Sequence, residues 1–188
     1  MKKSLFVLVL TFILFAQCKK SEEIEIGTVT ERSAEEIAAM KEYAPAFNLN
    51  SIEGTQISLN ELKGKYLFVD IWATWCRPCL QQIPAMKELE QKYEGKNIEF
   101  VSISVDKDAD KTKWARMIQA KGMGGMQLFA GKQTTFSRDY EVSSIPKFLI
   151  IGKEGEIINE NPPRPMDYRT GQVNQELVTI LDNLLKEK

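Results

Sequence analysis

The chain has 188 residues, 43% of them hydrophobic and 27% charged, with 25 Lys plus Arg set against 26 Asp plus Glu. That length and apolar fraction suit one globular domain with a sizeable core, and the near balance of charge argues against a nucleic-acid partner. There is no His, which removes Ser-His-Asp and Cys-His nucleophile arrangements, the imidazole general base and every metal site that needs a His ligand. Chemistry is left to thiols, carboxylates and backbone.

Met1-Lys2-Lys3 is a cationic start, and Leu5 to Ala16 is an apolar run of twelve residues. The run is short of the ~20 residues of a membrane span and reads as a secretory signal. The stretch Leu14-Phe15-Ala16-Gln17-Cys18 resembles a bacterial lipobox, whose Cys is acylated and becomes the first mature residue. Gln17 departs from the small residue usual before that Cys. The alternative is cleavage by an ordinary signal peptidase nearby, or retention of the segment as an anchor. The expected organisation is a lipoprotein-type signal peptide over 1–17, a tether with a short helix over 18–43, and the folded domain over 44–188. This places the chain in the cell envelope, lipid-anchored and facing the periplasm or the cell surface. With lipid on Cys18, Cys76 and Cys79 are the two thiols left in an oxidising compartment, which makes one pair.

Along the tether, Ser33-Ala-Glu-Glu36 is a capping-box pattern that predicts a short helix over Glu35 to Tyr43, closed by Pro45. Phe47 and Leu49 alternate with polar residues, Glu53-Gly54 marks a turn and Ile57 opens a second strand, giving a hairpin. Tyr66 to Trp72 is nearly continuous in apolar, β-prone residues, as a strand buried on both faces should be, so it belongs at the sheet centre. Cys76 to Tyr93 reads as a helix with Leu80, Ile83, Met86 and Leu89 facing inward, and Ile98 to Val105 as the next strand. Together they form a βαβ unit with parallel strands. A helix from about Asp110 to Lys121 carries Trp114, Met117 and Ile118 on one face and stops at Gly122. Phe148 to Ile151 and Glu156 to Asn159 flank a Gly152–Gly155 turn, so the late strands run antiparallel. A final amphipathic helix carries Val173, Leu177, Ile180, Leu181, Leu184 and Leu185. The fold class is therefore α/β, a mixed central sheet flanked by helices, with an N-terminal β-hairpin and an inserted helix.

Trp75-Cys76-Arg77-Pro78-Cys79 lies where the central strand passes into a helix. Free N–H groups and the macrodipole at a helix start stabilise a thiolate, lowering a Cys pKa from about 8.5 into the ~3.5–7.5 range. Cys76 occupies that end. Cys79, one turn in on the same side, is expected to be more buried than Cys76 and close enough to form a disulfide with it. The first thiol attacks and the second resolves. Pro78 suits the first turn because its missing N–H has no helical partner there, and Arg77 adds a positive charge beside the thiolate. A purely structural disulfide closing so small a loop constrains the unfolded chain weakly. Half a zinc site lacks the remaining ligands, so no metal is expected. Asp70, a carboxylate inside an apolar strand, is costly unless paired or neutral. It shares a face with Phe68 and Trp72 and precedes Cys76 by six residues. With a raised pKa it would take the proton from Cys79, the alternative being a hydrogen-bonded structural Asp.

Phe68 to Cys79 (FVDIWATWCRPC) resembles the active-site segment of thioredoxin-fold proteins, and its WATWC form resembles the exported TlpA/ResA-like branch, with an AhpC/TSA-type hairpin. The resemblance runs from about Ala44 to the C-terminus and takes in the hairpin and the inserted helix. It implies a thioredoxin fold, thiol:disulfide oxidoreductase activity, protein thiol or disulfide substrates and a membrane thiol-shuttling electron donor. No diffusible cofactor is implied. By the same resemblance, Pro84 kinks the first helix, Pro146 is cis and faces the dithiol, and Ile145 offers backbone groups to a substrate strand. Trp75, with Arg77 and Pro78, forms a docking surface. Gln82 departs from the Glu common at that position in reductants of cytochrome c maturation, and Lys147 from the usual Thr. Two rivals are a peroxiredoxin-like thiol peroxidase and a non-catalytic surface lipoprotein. The peroxidase pattern lacks its Pro and Thr, being Val69 and Ala73 here. For the lipoprotein, Lys19 to Glu23 resembles a surface-export tag.

Overall fold

The computed structural model describes residues 42–131 and 134–186. The expected signal peptide, Cys18 and all but the end of the expected tether helix lie outside the described residues. At that end the helix does not extend to Tyr43, which instead makes an antiparallel bridge to Glu156.

A seven-stranded mixed sheet organises the domain, in the order β2-β1-β5-β4-β3-β6-β7. The strands are β1 (Asn48–Ser51), β2 (Gln56–Ser58), β3 (Tyr66–Trp72), β4 (Ile98–Ser104), β5 (Met126–Phe129), β6 (Lys147–Ile151) and β7 (Ile157–Asn159). All seven residues of β3 are buried, because β4 pairs with it in parallel on one side and β6 antiparallel on the other, while helices and loops cover both faces. Successive side chains point to opposite faces. Leu67, Val69 and Ile71 therefore join Val101, Ile103, Leu149 and Ile151 in one core layer. Phe68 joins Phe100, Phe148 and Ile150 in the other.

The helices are α1 (Arg77–Leu80), α2 (Ile83–Lys92), α3 (Lys111–Lys121), α4 (Thr134–Asp139) and α5 (Gln175–Leu184). The single helix expected over Cys76 to Tyr93 is two. Pro84 has no N–H to donate to the Leu80 carbonyl, so α1 closes with Gln81 N–H bonded to Arg77 O at 3.2 Å and Gln82 N–H bonded to Cys79 O at 2.9 Å. Pro84 then falls in the first turn of α2, where the missing donor does no harm. Met86 and Leu89 of α2 and Leu177 and Leu181 of α5 cover the Phe68 layer. Trp114 and Ile118 of α3 pack with Trp72 and Phe129, and Gly122 ends α3 at φ +57°, a left-handed position that Gly takes without strain.

Strand β5 and helix α4 are additions to the sequence-based outline. β5 pairs in parallel with β4 and antiparallel with β1, so it is the strand that attaches the N-terminal hairpin to the sheet. Phe136 in α4 and Tyr140 just after it stack on each other at 4.7 Å, and each meets Phe47 of the hairpin segment at 6.3 Å.

Candidate active site

Strand β3 delivers the chain to the reactive turn. Cys76 and Cys79 are joined by a disulfide with Cα atoms 5.3 Å apart. Cys76 is the N-cap of α1, and its Sγ accepts the Cys79 N–H at 3.2 Å. Because α1 holds four residues, this one amide, rather than the dipole of a long helix, is the specific donor available to a Cys76 thiolate. Cys76 and Cys79 are each 4% exposed, so the expected contrast in burial between them is absent. Both cysteines belong to one buried cluster with Trp72, Ala73 and Trp114, which explains this. What separates the two thiols is position: Cys76 caps the turn and receives an N–H, while Cys79 lies inside it.

Arg77 and Pro78 are exposed beside the disulfide and Trp75 is 63% exposed, so these three flank the pair on the solvent side. Ile145 packs against the cluster that contains both cysteines, and the Ile145–Pro146 peptide is cis. A groove of about 420 Å³ runs past Pro146, lined by Ser144, Lys147, Asn161 and Arg164 among others. Lys147 Nζ donates to the carbonyl of Tyr140 at 2.7 Å.

Asp70 is 6% exposed, and its Oδ1 has no hydrogen-bond partner among the described residues. It lies on the face of β3 shared with Trp72, which packs with both cysteines. Its neighbours across the ladder are Ser102 on β4 and Phe148 on β6. Burial first, and the like charge of Glu90 second, push its carboxyl up to about 7. A carboxyl poised there exchanges a proton near neutrality, as a base for a thiol must.

Asp106 and Glu90 were not singled out from sequence, and Gln82 was noted only for standing where a Glu is common. Asp106, fully buried just after β4, accepts the Thr74 N–H at 2.9 Å, the Thr74 hydroxyl at 2.8 Å and the Ser104 hydroxyl at 2.8 Å. It clamps the turn two residues before Cys76. Its signal was a carboxylate directly following an apolar strand. Gln82, 1% exposed, accepts the Met166 N–H at 2.9 Å and donates to the Tyr168 hydroxyl at 3.0 Å, tying the β7–α5 connector to the break between α1 and α2. Glu90 stands four residues after Met86 on α2, on its inward side, and its burial raises it to about 6.

Residues 40–159 match the AhpC/TSA family. Relatives include the thiol-disulfide oxidoreductase ResA of one Bacillus cereus strain, 34% identical over 118 residues, which are 62% of this chain and 66% of the relative. ResA of a second Bacillus cereus strain is 31% identical over 129 residues, 68% of this chain and 72% of the relative. The chain thus spans about two thirds of the length of these relatives. Among solved structures, a Bacteroides vulgatus protein assigned as a thiol-disulfide oxidoreductase is 41% identical with a TM-score of 0.63, covering 74% of this chain and 89% of that one. The thioredoxin domain of a second Bacteroides vulgatus thiol-disulfide oxidoreductase shares the fold at a TM-score of 0.64 and 21% identity, over 77% and 96% of the two chains. With a thioredoxin fold, a CxxC disulfide at the end of its central strand and these relatives, the chain belongs to the AhpC/TSA family and falls among its thiol-disulfide oxidoreductases.

Proposed function

We propose that this chain works as a membrane-tethered, extracytoplasmic thiol:disulfide oxidoreductase acting on protein disulfides through Cys76 and Cys79. The carrying observation is the Cys79 amide aimed at Cys76 Sγ at 3.2 Å, which stabilises negative charge on that sulfur. The Cys76 thiolate attacks a substrate disulfide, one substrate sulfur leaves as thiolate, and a mixed disulfide forms. Asp70 takes the proton of Cys79, whose sulfur then attacks Cys76 Sγ. The second substrate sulfur leaves, and the enzyme is left with the Cys76–Cys79 disulfide, two electrons having passed to the substrate. Resetting the pair takes two electrons from a thiol-shuttling membrane donor. The apolar leader and Cys18 support the tether. Trp75, Arg77, Pro78 and Ile145 lie beside the disulfide and, with Pro146, form the substrate face.

Insulin-disulfide reduction and trapping test the reading. Cys76→Ser abolishes turnover, whereas Cys79→Ser accumulates mixed disulfides resolved only by added thiol; unchanged turnover in either variant refutes the mechanism. Labelling with a radioactive fatty acid tests the tether separately: incorporation that Cys18→Ala removes supports it, and absence of label removes it.

A further inference from the structure

Between β7 and α5 the chain runs through Asn161-Pro162-Pro163-Arg164-Pro165. Pro162 and Pro165 are buried, and Arg164 between them is exposed. Proline fixes its own φ, and a residue that precedes proline is confined to extended backbone. Arg164 has a proline on each side, so its backbone is set before anything binds it, which lowers the entropy lost on binding. The chain then folds back on itself. Met166 bridges Val173, and the Asp167 N–H is bonded to the Gln172 carbonyl at 2.9 Å. The Met166 N–H ties this small loop to Gln82, three residues after Cys79.

The partners of Tyr168 fix where its hydroxyl proton goes. The Met166 N–H can only donate, so the Gln82 atom facing it at 2.9 Å is Oε1, and the atom facing Tyr168 Oη at 3.0 Å is Nε2. Arg164 also only donates, and its Nη1 meets the same hydroxyl oxygen at 3.1 Å. Tyr168 Oη therefore accepts two hydrogen bonds, and its own proton is left to donate elsewhere. No acceptor for that proton stands among the described residues. The ring is 49% exposed, and the Arg164 guanidinium lies over it at 5.5 Å from the centroid.

Arg164 lines the groove of about 420 Å³ that runs past Pro146. Lys147, on the same groove, gives its ammonium group to the carbonyls of Tyr140 and Glu141, at 2.7 and 3.4 Å. Glu141 and Glu160 also line the groove, yet no ion pair joins either to Arg164 among the described residues. Asp167, three residues on, pairs with Arg169 at 3.0 Å. Arg164 thus presents a charge without a counter-ion and N–H groups beyond the one that meets Tyr168. A positive fork beside a spare O–H suits a carboxylate, whose two oxygens only accept.

We propose that Arg164 and the Tyr168 hydroxyl form a subsite for an Asp or Glu side chain on the substrate segment that docks beside Pro146. The subsite rests on the oxidoreductase reading above and deepens it. No bond is made or broken there; it selects which disulfides are held at Cys76. Gln82 is a positioning residue that acts through Tyr168, its Nε2 keeping the hydroxyl proton turned outward.

The test uses the reduced full chain and synthetic peptides, acetylated and amidated at their ends. Each has one cysteine, held as its disulfide with mercaptoethanol, and no charge except a single Glu. The Glu is moved from three residues before the cysteine to three after it, and every peptide has a Gln twin. Single-turnover rates near pH 7 are read by acid quench and alkylation. At one position or more the Glu peptide is expected to react about threefold to fivefold faster than its twin, the gain an exposed ion pair provides, and high salt is expected to erase that gain. Arg164→Gln is expected to bring the ratio to one, and Arg164→Glu to favour a Lys peptide over the Glu peptide at the same position. Tyr168→Phe keeps the ring beneath the guanidinium but lacks the O–H, and is expected to lower the ratio. Gln82→Glu keeps the acceptor for Met166 but draws the Tyr168 proton inward, so it too is expected to lower the ratio, which a purely structural tie would leave unmoved. Equal rates for Glu and Gln peptides at every position overturn the subsite and leave the oxidoreductase reading standing. So does a preference that survives Arg164→Gln and disappears in Arg77→Gln. A ratio unchanged in Gln82→Glu overturns the positioning role. Failure of the wild type to reduce any peptide overturns the oxidoreductase reading and the subsite with it.

Discussion

Replacing Asp70 by Asn gives the sharpest test of how the buried carboxyl is held. In the folded chain Asp70 titrates at about 7 against an ordinary value of 3.8, chiefly because burial disfavours its charged form. The folded state thus holds this proton more tightly than the unfolded state. The associated stability is complete below pH 4, declines as pH rises, and is gone above the folded value near 7. At 1.36 kcal/mol per unit, the shift amounts to about 4 kcal/mol, of which about 3 kcal/mol is lost between pH 5 and pH 8.5. The amide in Asp70→Asn does not titrate. Its own burial penalty is the same at both pH values and drops out of the difference. Glu90, raised in the same direction by burial, adds a slope of the same sign to both proteins. Urea unfolding of the oxidised protein at the two pH values is therefore expected to show the wild type losing about 3 kcal/mol more than the variant. Curves that run parallel within about 0.5 kcal/mol would mean that Asp70 is ionised throughout, and the burial argument would fall.

Other outcomes are specified by single contacts. Asp106→Ala strands the Thr74 N–H and hydroxyl and the Ser104 hydroxyl; a loss of about 2–4 kcal/mol is expected in chemical unfolding, with faster hydrogen exchange at Thr74 and Trp75. In the reduced chain, the Cys76 thiolate absorbance is expected to appear with a midpoint below about 8.5, because the Cys79 N–H is aimed at it; ultraviolet titration checks this. Gln82→Ala releases Met166 and Tyr168 and is expected to cost about 1–3 kcal/mol, with limited proteolysis appearing between 160 and 172. Gly125→Ala forces a Cβ to 2.7 Å from the Phe100 carbonyl at φ +61° and is expected to lower Tm by several degrees, read by calorimetry.

The central strand was legible because six of seven consecutive residues are apolar and β-prone, a run that admits few other structures, and the reactive turn because Cys, Pro and Cys follow it closely. Gly122 announced the end of α3 for the same kind of local reason. Strand β5 was not legible: Met126-Gln-Leu-Phe129 is four residues with no usable period, and it becomes a strand because β4 and β1 offer it ladders on both sides. The break between α1 and α2 was carried by Pro84, yet the inward stripe from Leu80 to Leu89 continues across it and suggested one helix. Equal burial of the two cysteines was hidden because it depends on Trp72 and Trp114, the second of which arrives from a helix 35 residues after Cys79. Asp70 stood out as a charge among apolar neighbours. Glu90 did not, since a Glu in a helix of mixed polarity is ordinary until Gly124 and Gly125 are seen to make room for it.

Both borders of the sheet are drawn by β2 and β7, each three residues long, and β6 shifts register against β7 between Ile150 and Ile151. So few free amides and carbonyls, and so irregular a margin, offer another copy little on which to extend the ladder. Molecules at high local concentration would meet one another constantly. Blunted margins let them collide without polymerising, so that the disulfide face stays available to substrates instead of being buried in fibres.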